Sequence, residues 1–409
     1  MTGNTKSKYK REIFKKASIS VLVFLLLISS FFIIPVKTNA QELSIPDLNS
    51  KAALLMEFSR GEIIMAKNSS EIMAPASLTK IMTIVLAYEA LKAGRVTWEE
   101  NVIISQKSWE TGGSQMFLEI GQAVSFGDLV TGIAAISAND ACVAIAEHLY
   151  GSEEFFVQEM NKKARELGMK NSLFQNSSGL PHPEHYTTAE DVAVVTRHLI
   201  SNFPEHLKLH SQTEFTFNDI KQYNRNPLLG RYPGADGLKT GHTAEAGHCL
   251  VGTATQGGLR FITVTLNASS TAERLKDTET MLNYAFRNYI LKSMLPQDEI
   301  ITTIRVTGGE ERQINLVLDQ PAEVAILFER QEDLEIRYNV PESVPAPLEK
   351  GEMLGKVEIL LDGELLLETP LLAETEINKA GFVSLMFRSF ADFFSNLWEK
   401  AIDTLGGLF

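Results

Sequence analysis

The sequence predicts an α+β protein: helices packed on an antiparallel sheet, then a small all-β domain and a C-terminal amphipathic helix. Three observations carry this. Strand-like runs stand near both ends of the segment 51–290, whose middle has mostly helical patterning, as an antiparallel sheet covered by helices requires. Beyond Pro296 the chain changes to short, partly alternating runs separated by Gly-Gly, Asp-Gln-Pro and Asp-Gly turns, which mark a β unit. From Asn378 onward apolar residues recur at helical spacing.

Taken in order, the chain opens with a basic stretch, Lys6 to Lys16, followed by the mostly apolar Ala17 to Ile34 and by Pro35. Thr38-Asn39-Ala40 offers the small residues a signal peptidase reads, so residues 1–40 are expected to be a signal peptide cleaved after Ala40. The alternative is an uncleaved N-terminal anchor, since the apolar run approaches the length of a membrane span. Either way the body is expected to be exported.

From Lys51, two apolar runs around Ser59-Arg60-Gly61 predict a β-hairpin. Pro75 opens a helix over Ser77 to Leu91 that is apolar on almost every face and therefore buried, with Gly94 as its stop. Helical patterns follow at Phe126–Ile136, Asp140–Leu149, Glu154–Leu167 and Thr188–Ile200, strands at Cys249–Ala254 and Arg260–Asn267, and a helix at Ala272–Tyr289. Six short β segments between Ile300 and Glu368 complete the second domain. The expected division is 1–40 signal peptide, 41–295 catalytic domain, 296–375 β-sandwich-like domain and 376–409 amphipathic helix. The β domain has no His, no Cys and no cluster of catalytic residue types, so it reads as a spacer.

Composition narrows the function. The chain has 409 residues and a formal net charge of -13. Seven of its cations lie in the first forty residues against one anion, Glu12, which leaves the body near -19. An acidic body repels polyanions, so nucleic acid is excluded as a general partner. Cys142 and Cys249 are the only cysteines; they support neither a disulfide framework nor a Cys-rich zinc site.

Three motifs carry chemistry. Ser77-Leu78-Thr79-Lys80 puts a hydroxyl and an amine at i and i+3 on one helix face. A serine needs a base within hydrogen-bond reach, and a desolvated, neutral lysine can be that base. On its own the pattern is weak: Ser7-Lys8-Tyr9-Lys10 in the leader has it too. Ser137-Ala138-Asn139, between two helices, adds a second hydroxyl and an amide. Lys239-Thr240-Gly241 adds a fixed cation, a hydroxyl and a glycine that lets a substrate backbone come close. Finding all three in this order turns the balance toward function. The histidines are poor metal ligands by comparison: Pro183 breaks any helix through His182-Pro-Glu-His185, and Glu205 is misplaced for a base beside His206 and His210. No metal and no cofactor are expected. Cys142 and Cys249 read as small buried apolar residues.

With these motifs the sequence resembles the penicillin-binding proteins and serine β-lactamases, and most closely the low-molecular-mass serine D-alanyl-D-alanine carboxypeptidases. Pro75–Lys80, Ser137–Cys142, Asn176-x-x-Gly-Leu180, His185–Ala189 and Asp236–Thr243 all look like that family, with Ala138 where the family usually has Gly. The resemblance implies a β-lactamase/DD-peptidase-like fold for the first domain and a two-step acyl transfer on peptidoglycan stem peptides ending in D-Ala-D-Ala. It implies Ser77 as nucleophile, Lys80 as its base and Ser137 as a proton relay. Asn139, Lys239, Thr240, Gly241 and His242 would bind substrate, His242 through its backbone N–H with that of Ser77. β-Lactam antibiotics would acylate Ser77. Two rival readings are a β-lactamase, disfavoured because no Glu-x-x-Leu-Asn segment lies between Ser137 and Lys239, and a non-catalytic wall-binding or β-lactam-sensing protein, which would not need nucleophile and base together.

In the tail, Phe382, Met386, Phe390, Phe394, Leu397 and Trp398 fall on one half of a helical wheel, opposite Arg388, Asp392 and Glu399. No uninterrupted apolar run there reaches the length of a span, so the expected partner is a membrane surface, with the helix lying in its plane at the outer face of the bacterial cytoplasmic membrane.

Overall fold

A computed structural model of the chain describes residues 46–382 and Met386. The expected signal peptide and most of the amphipathic helix lie outside the described residues.

The first domain runs β1 (Ala52–Glu57), β2 (Ile63–Lys67), a 3-10 turn (Ala76–Thr79), α1 (Lys80–Lys92), β3 (Asn101–Ile103), α2 (Gln106–Glu110), β4 (Ala123–Ser125), α3 (Phe126–Ile136), α4 (Asn139–Tyr150) and α5 (Glu153–Glu166). It continues with α6 (Ala189–Asn202), α7 (Leu207–His210), β5 (Glu214–Phe217), β6 (Ile220–Tyr223), β7 (Ala235–Thr243), β8 (Gly247–Gln256), β9 (Leu259–Ala268) and α8 (Thr271–Asn288). Strands β2-β1-β9-β8-β7 form one antiparallel sheet in that order, with β7 at its edge.

Every residue of β1 is buried, which explains why Ala-Ala-Leu-Leu-Met-Glu shows no alternation. Ala52, Leu54 and Met56 join the core under the main helical layer, whereas Ala53 and Leu55 join a second core with Met281, Leu282 and Ala285 of α8. The sheet is thus covered on both faces. Helix α1 is buried from Lys80 through Tyr88, as its uniformly apolar sequence predicts. Most of the other long helices start on the hydroxyl caps their sequences offer: Ser125, Ser152, Thr188 and Ser270 each accept an N–H from three residues on.

The second domain is all β: β10 (Tyr289–Leu295), β11 (Thr302–Thr307), β12 (Gln313–Val317), β13 (Ala322–Leu327), β14 (Leu334–Asn339), β15 (Ser343–Pro345), β16 (Met353–Leu361) and β17 (Glu364–Ala373). Strands β14-β16-β17-β12-β11-β15 make one sheet and β10-β13 a two-stranded one. Their inner faces share a core that includes Ile304, Leu316, Val324, Ile359 and Leu371. Sequence patterning gives Tyr289 to the helix and Tyr289–Leu295 to the first domain. Instead α8 ends at Asn288 and the chain runs straight into β10, which pairs with β13. Past β17, Ile377 bridges to Leu348 and Lys379 to Gly309, so the chain stays attached to this domain as far as Ala380.

Candidate active site

The 3-10 turn Ala76–Thr79 leads into α1, so Ser77 sits one turn ahead of Lys80 with both side chains on one face. The turn is strained: Ala76 has φ of 48°, a left-handed conformation that costs a non-glycine residue about 1 kcal/mol. Two glycines flank it. A Cβ on Gly179 would lie 1.8 Å from the Ala76 carbonyl oxygen, and one on Gly241 would lie 3.3 Å from the Ser77 nitrogen. Glycine at both positions is what lets two backbones close on the turn.

Lys80 is fully buried. Its Nζ lies 3.0 Å from Ser77 Oγ and donates to Asn139 Oδ1 at 2.6 Å and to the Ser178 carbonyl at 2.6 Å. Burial is the main cause bringing its pKa down to about 8, because desolvation penalises the ammonium form. Roughly a tenth of the molecules then carry the neutral amine at pH 7, against fewer than about one in a thousand at the ordinary value.

Ser137 comes from the two-residue junction between α3 and α4, and Asn139 from the residue just after it. Ser137 ends α3 in a left-handed conformation, φ 66°, and Asn139 is the first residue of α4. Both are buried. The Asn139 amide is engaged at both ends, through Oδ1 on Lys80 and through Nδ2, which donates to the Gly112 carbonyl at 2.7 Å.

Lys239, Thr240 and Gly241 lie on edge strand β7, all three buried. Lys239 Nζ donates to the Thr240 carbonyl at 3.2 Å. Its pKa is held well below the usual lysine range, first by burial and next by the charge of Lys80. His242 is exposed; its ring stacks on His248 at 4.1 Å and its Nδ1 lies 3.0 Å from the Gly247 carbonyl.

Several contributors escaped sequence reasoning. Arg274, in the first turn of α8, is buried beneath β7 and β8, where Nη1 donates to the carbonyls of Gly241 at 3.3 Å and Cys249 at 3.0 Å. Its ordinary place in a helix gave no signal. Arg225, in the segment before β7, lowers the pKa of both lysines through its charge. Asp140, next to Asn139, accepts from the Met116 N–H at 2.9 Å and the Leu118 N–H at 3.4 Å, holding the loop beside the site. The histidines noted in the sequence are structural in their contacts: His185 Nε2 lies 3.0 Å from Thr79 Oγ1, and His210 Nδ1 lies 2.9 Å from the Leu238 carbonyl.

The family model described as D-alanyl-D-alanine carboxypeptidase matches residues 37–270, more than half of the chain. The model described as penicillin-binding protein 5, C-terminal domain, matches residues 289–379, starting on the first residue of β10. The chain is 36% identical over 365 residues to the D-alanyl-D-alanine carboxypeptidase DacF of Bacillus subtilis, covering 86% of this chain and 90% of that one. It is 36% identical over 350 residues to DacC of Escherichia coli, covering 84% and 88%. Penicillin-binding protein 5 from Haemophilus influenzae superposes with a TM-score of 0.69 at 34% identity, over 82% of this chain and 99% of that one. By fold, by sequence and over both of its domains, this chain belongs to the D-alanyl-D-alanine carboxypeptidase family of penicillin-binding serine hydrolases.

Proposed function

We propose that Ser77 is the nucleophile and Lys80 the base of a two-step acyl transfer that removes the terminal D-Ala from peptidoglycan pentapeptide stems. One observation carries this reading. A neutral lysine has two N–H donors and one lone pair; Asn139 Oδ1 and the Ser178 carbonyl, both at 2.6 Å, occupy the two donors. That leaves the lone pair on the Ser77 side, at 3.0 Å.

Lys80 takes the Ser77 proton as Oγ bonds to the carbonyl carbon of the penultimate D-Ala. The resulting oxyanion is held by the N–H groups of Ser77 and His242. When the tetrahedral intermediate collapses, the C–N bond breaks and the amine of the leaving D-Ala receives the proton from Lys80 through Ser137. Water, giving its proton to Lys80, then hydrolyses the ester and frees Ser77. β-Lactams enter the same path at the first step.

The free edge of β7 supports substrate placement, since an edge strand offers unpaired backbone groups along which an extended peptide can lie. Gly241 keeps that edge open beside Ser77. Lys239 and Thr240 grip the terminal carboxylate, with Arg274 and Arg225 adding positive field behind and beside them. Asn139 holds Lys80, and its Nδ2 exchanges Gly112 for the substrate backbone on binding.

Mass spectrometry of a D-Ala-D-Ala pentapeptide exposed to the purified protein tests the reading: the product should lack one D-Ala, and an unchanged peptide would overturn it. Lys239→Gln should reduce turnover of this peptide far more than turnover of the same peptide amidated at its C-terminus. Equal losses on the two would make Lys239 structural.

The tail completes the proposal, as a helix lying on the outer face of the cytoplasmic membrane. No helix among the described residues is long and apolar enough to cross a membrane, and Phe382, at the end of the continuous described stretch, is exposed. Because Ile377 is buried and Ala380 N–H donates to the Gly308 carbonyl, a truncation that spares the β domain ends after Gly381 rather than at Glu376. The full mature chain should pellet with membranes and resist a high-salt wash, since apolar burial rather than charge attraction drives this mode. The chain ended at Gly381 should be soluble and equally active; if it still pellets, the anchor lies elsewhere.

A further inference from the structure

The loop Phe174–Leu180 has no regular secondary structure, yet it supplies one of the two acceptors that fix Lys80. Its four N–H groups from Ser177 to Leu180 are all taken by two side-chain acceptors. Glu153, the first residue of α5, accepts from Ser177 at both N–H, 3.0 Å, and Oγ, 2.7 Å. Asn176 Oδ1 accepts from the N–H groups of Ser178 at 3.2 Å, Gly179 at 2.7 Å and Leu180 at 3.1 Å.

With the N–H groups turned toward these oxygens, the carbonyls face α1. That of Ser177 accepts from Thr83 Oγ1 at 2.6 Å, and that of Ser178 from Lys80 Nζ at 2.6 Å. The Gly179 N–H held by Asn176 and the Ser178 carbonyl on Lys80 belong to one peptide group, so fixing the first aims the second. Glu153 ties the loop to α5 and, through Lys107 Nζ at 3.1 Å, to α2.

We infer that Asn176 and Glu153 are positioning residues for the general base: together they hold the Ser178 carbonyl on Lys80 and thereby aim its lone pair at Ser77. The inference rests on Lys80 being the base. Without either residue the loop loosens, the Lys80 amine loses one of its two fixed acceptors, and water reaches it. The other groups acting on Lys80 stay in place: Cys142 and Asp140 on α4, Arg225, Lys239 on β7 and His185. Burial is the largest influence on Lys80, so hydration outweighs the loss of one carbonyl acceptor and favours its charged form.

The test is the second-order rate of acylation by a fluorescent penicillin, measured across pH for the full chain, with melting temperature recorded alongside. Glu153→Ala and Asn176→Ala should each lower the plateau rate by roughly 10- to 100-fold, as misplacement of a reacting group does, and move the acid limb to higher pH. Glu153→Gln keeps an oxygen for Ser177 and should restore most of the rate. Glu154→Ala removes another partner of Lys107, 2.7 Å away, but nothing of the loop, and should leave rate and limb unchanged. An acid limb unmoved in both alanine variants overturns the inference, even if melting temperatures fall. If Lys80→Met acylates with the wild-type limb, the reading of Lys80 as base fails instead, which separates the two outcomes.

Discussion

Ser77→Ala should abolish covalent labelling by penicillin and leave the protein folded. The bond at stake, between Ser77 Oγ and Lys80 Nζ at 3.0 Å, contributes on the order of 1 kcal/mol or less. Intact-mass spectrometry after exposure to penicillin, with a thermal melt in parallel, reads both halves of the expectation. Labelling that persists in the alanine variant would place the nucleophile elsewhere. The companion change, Lys80→Met, keeps a long apolar side chain in the buried channel and should slow acylation by roughly 10²- to 10⁴-fold, the usual contribution of general base catalysis. In the wild-type protein acylation should rise with pH through about 8, the value to which burial brings Lys80. The sign follows from the role: the base acts neutral, so the rate grows as the ammonium deprotonates. A rate that falls over the same range would contradict it.

Gly179→Ala has the second large effect, and by a different route. The added Cβ would stand 1.8 Å from the Ala76 carbonyl oxygen and 2.9 Å from Thr79 Oγ1, at a φ of +83°. Backbone occupies the space, so the turn bearing Ser77 has to move. Overpacking of this kind costs about 1–3 kcal/mol, and the left-handed backbone adds about 1 kcal/mol more. Gly121→Ala is the control, because it shares the positive φ, +79°, but has nothing within 4 Å. It should show only the backbone penalty and full acylation. Gly179→Ala should lose acylation almost as completely as removal of the nucleophile, with a melting temperature clearly below that of the control. Wild-type acylation by this variant would mean that the turn tolerates displacement and that its position is not what activates Ser77.

Much of the molecule was legible in the sequence because local patterns coincided with tertiary demands. The spacing of Ser77 and Lys80 already put both on one helix face, and the uniformly apolar α1 already required burial on all sides. Those two facts together place a lysine in the core, the condition that lowers its pKa. Strands β8 and β9 were visible as apolar runs, and the β domain as short segments between turns. What was not legible depended on partners far along the chain. Tyr289 reads as the end of a helix, and the residues to Leu295 as part of the first domain, until β13 supplies a pairing edge. Arg274 looks like any charged residue in a first turn until α8 packs under β7 and β8. Asn176 stands out only as part of the Asn-x-x-Gly-Leu motif, with no role attached, and Glu153 carries no mark at all, for their effect passes through the backbone of a loop whose shape no periodicity reveals. The short strand pairs β3–β4 and β5–β6 were missed for the same reason: strands of three and four residues hold too few positions to show a period.

The charge distribution has one more consequence. Lys80, Arg225 and Arg274 all lie close enough to Lys239 on β7 to act on it by charge, in a chain whose overall charge is -13. On the proposed function, an anionic peptide diffusing near the protein would meet net repulsion from the chain as a whole and attraction where these cations lie. Encounters are therefore sorted before any contact forms. The end of the peptide carrying the free carboxylate would be turned inward and its bulk outward, bringing the carbonyl one residue from that terminus toward Ser77. Direction of approach, and not only affinity once bound, would follow from the contrast between an acidic chain and its local group of cations.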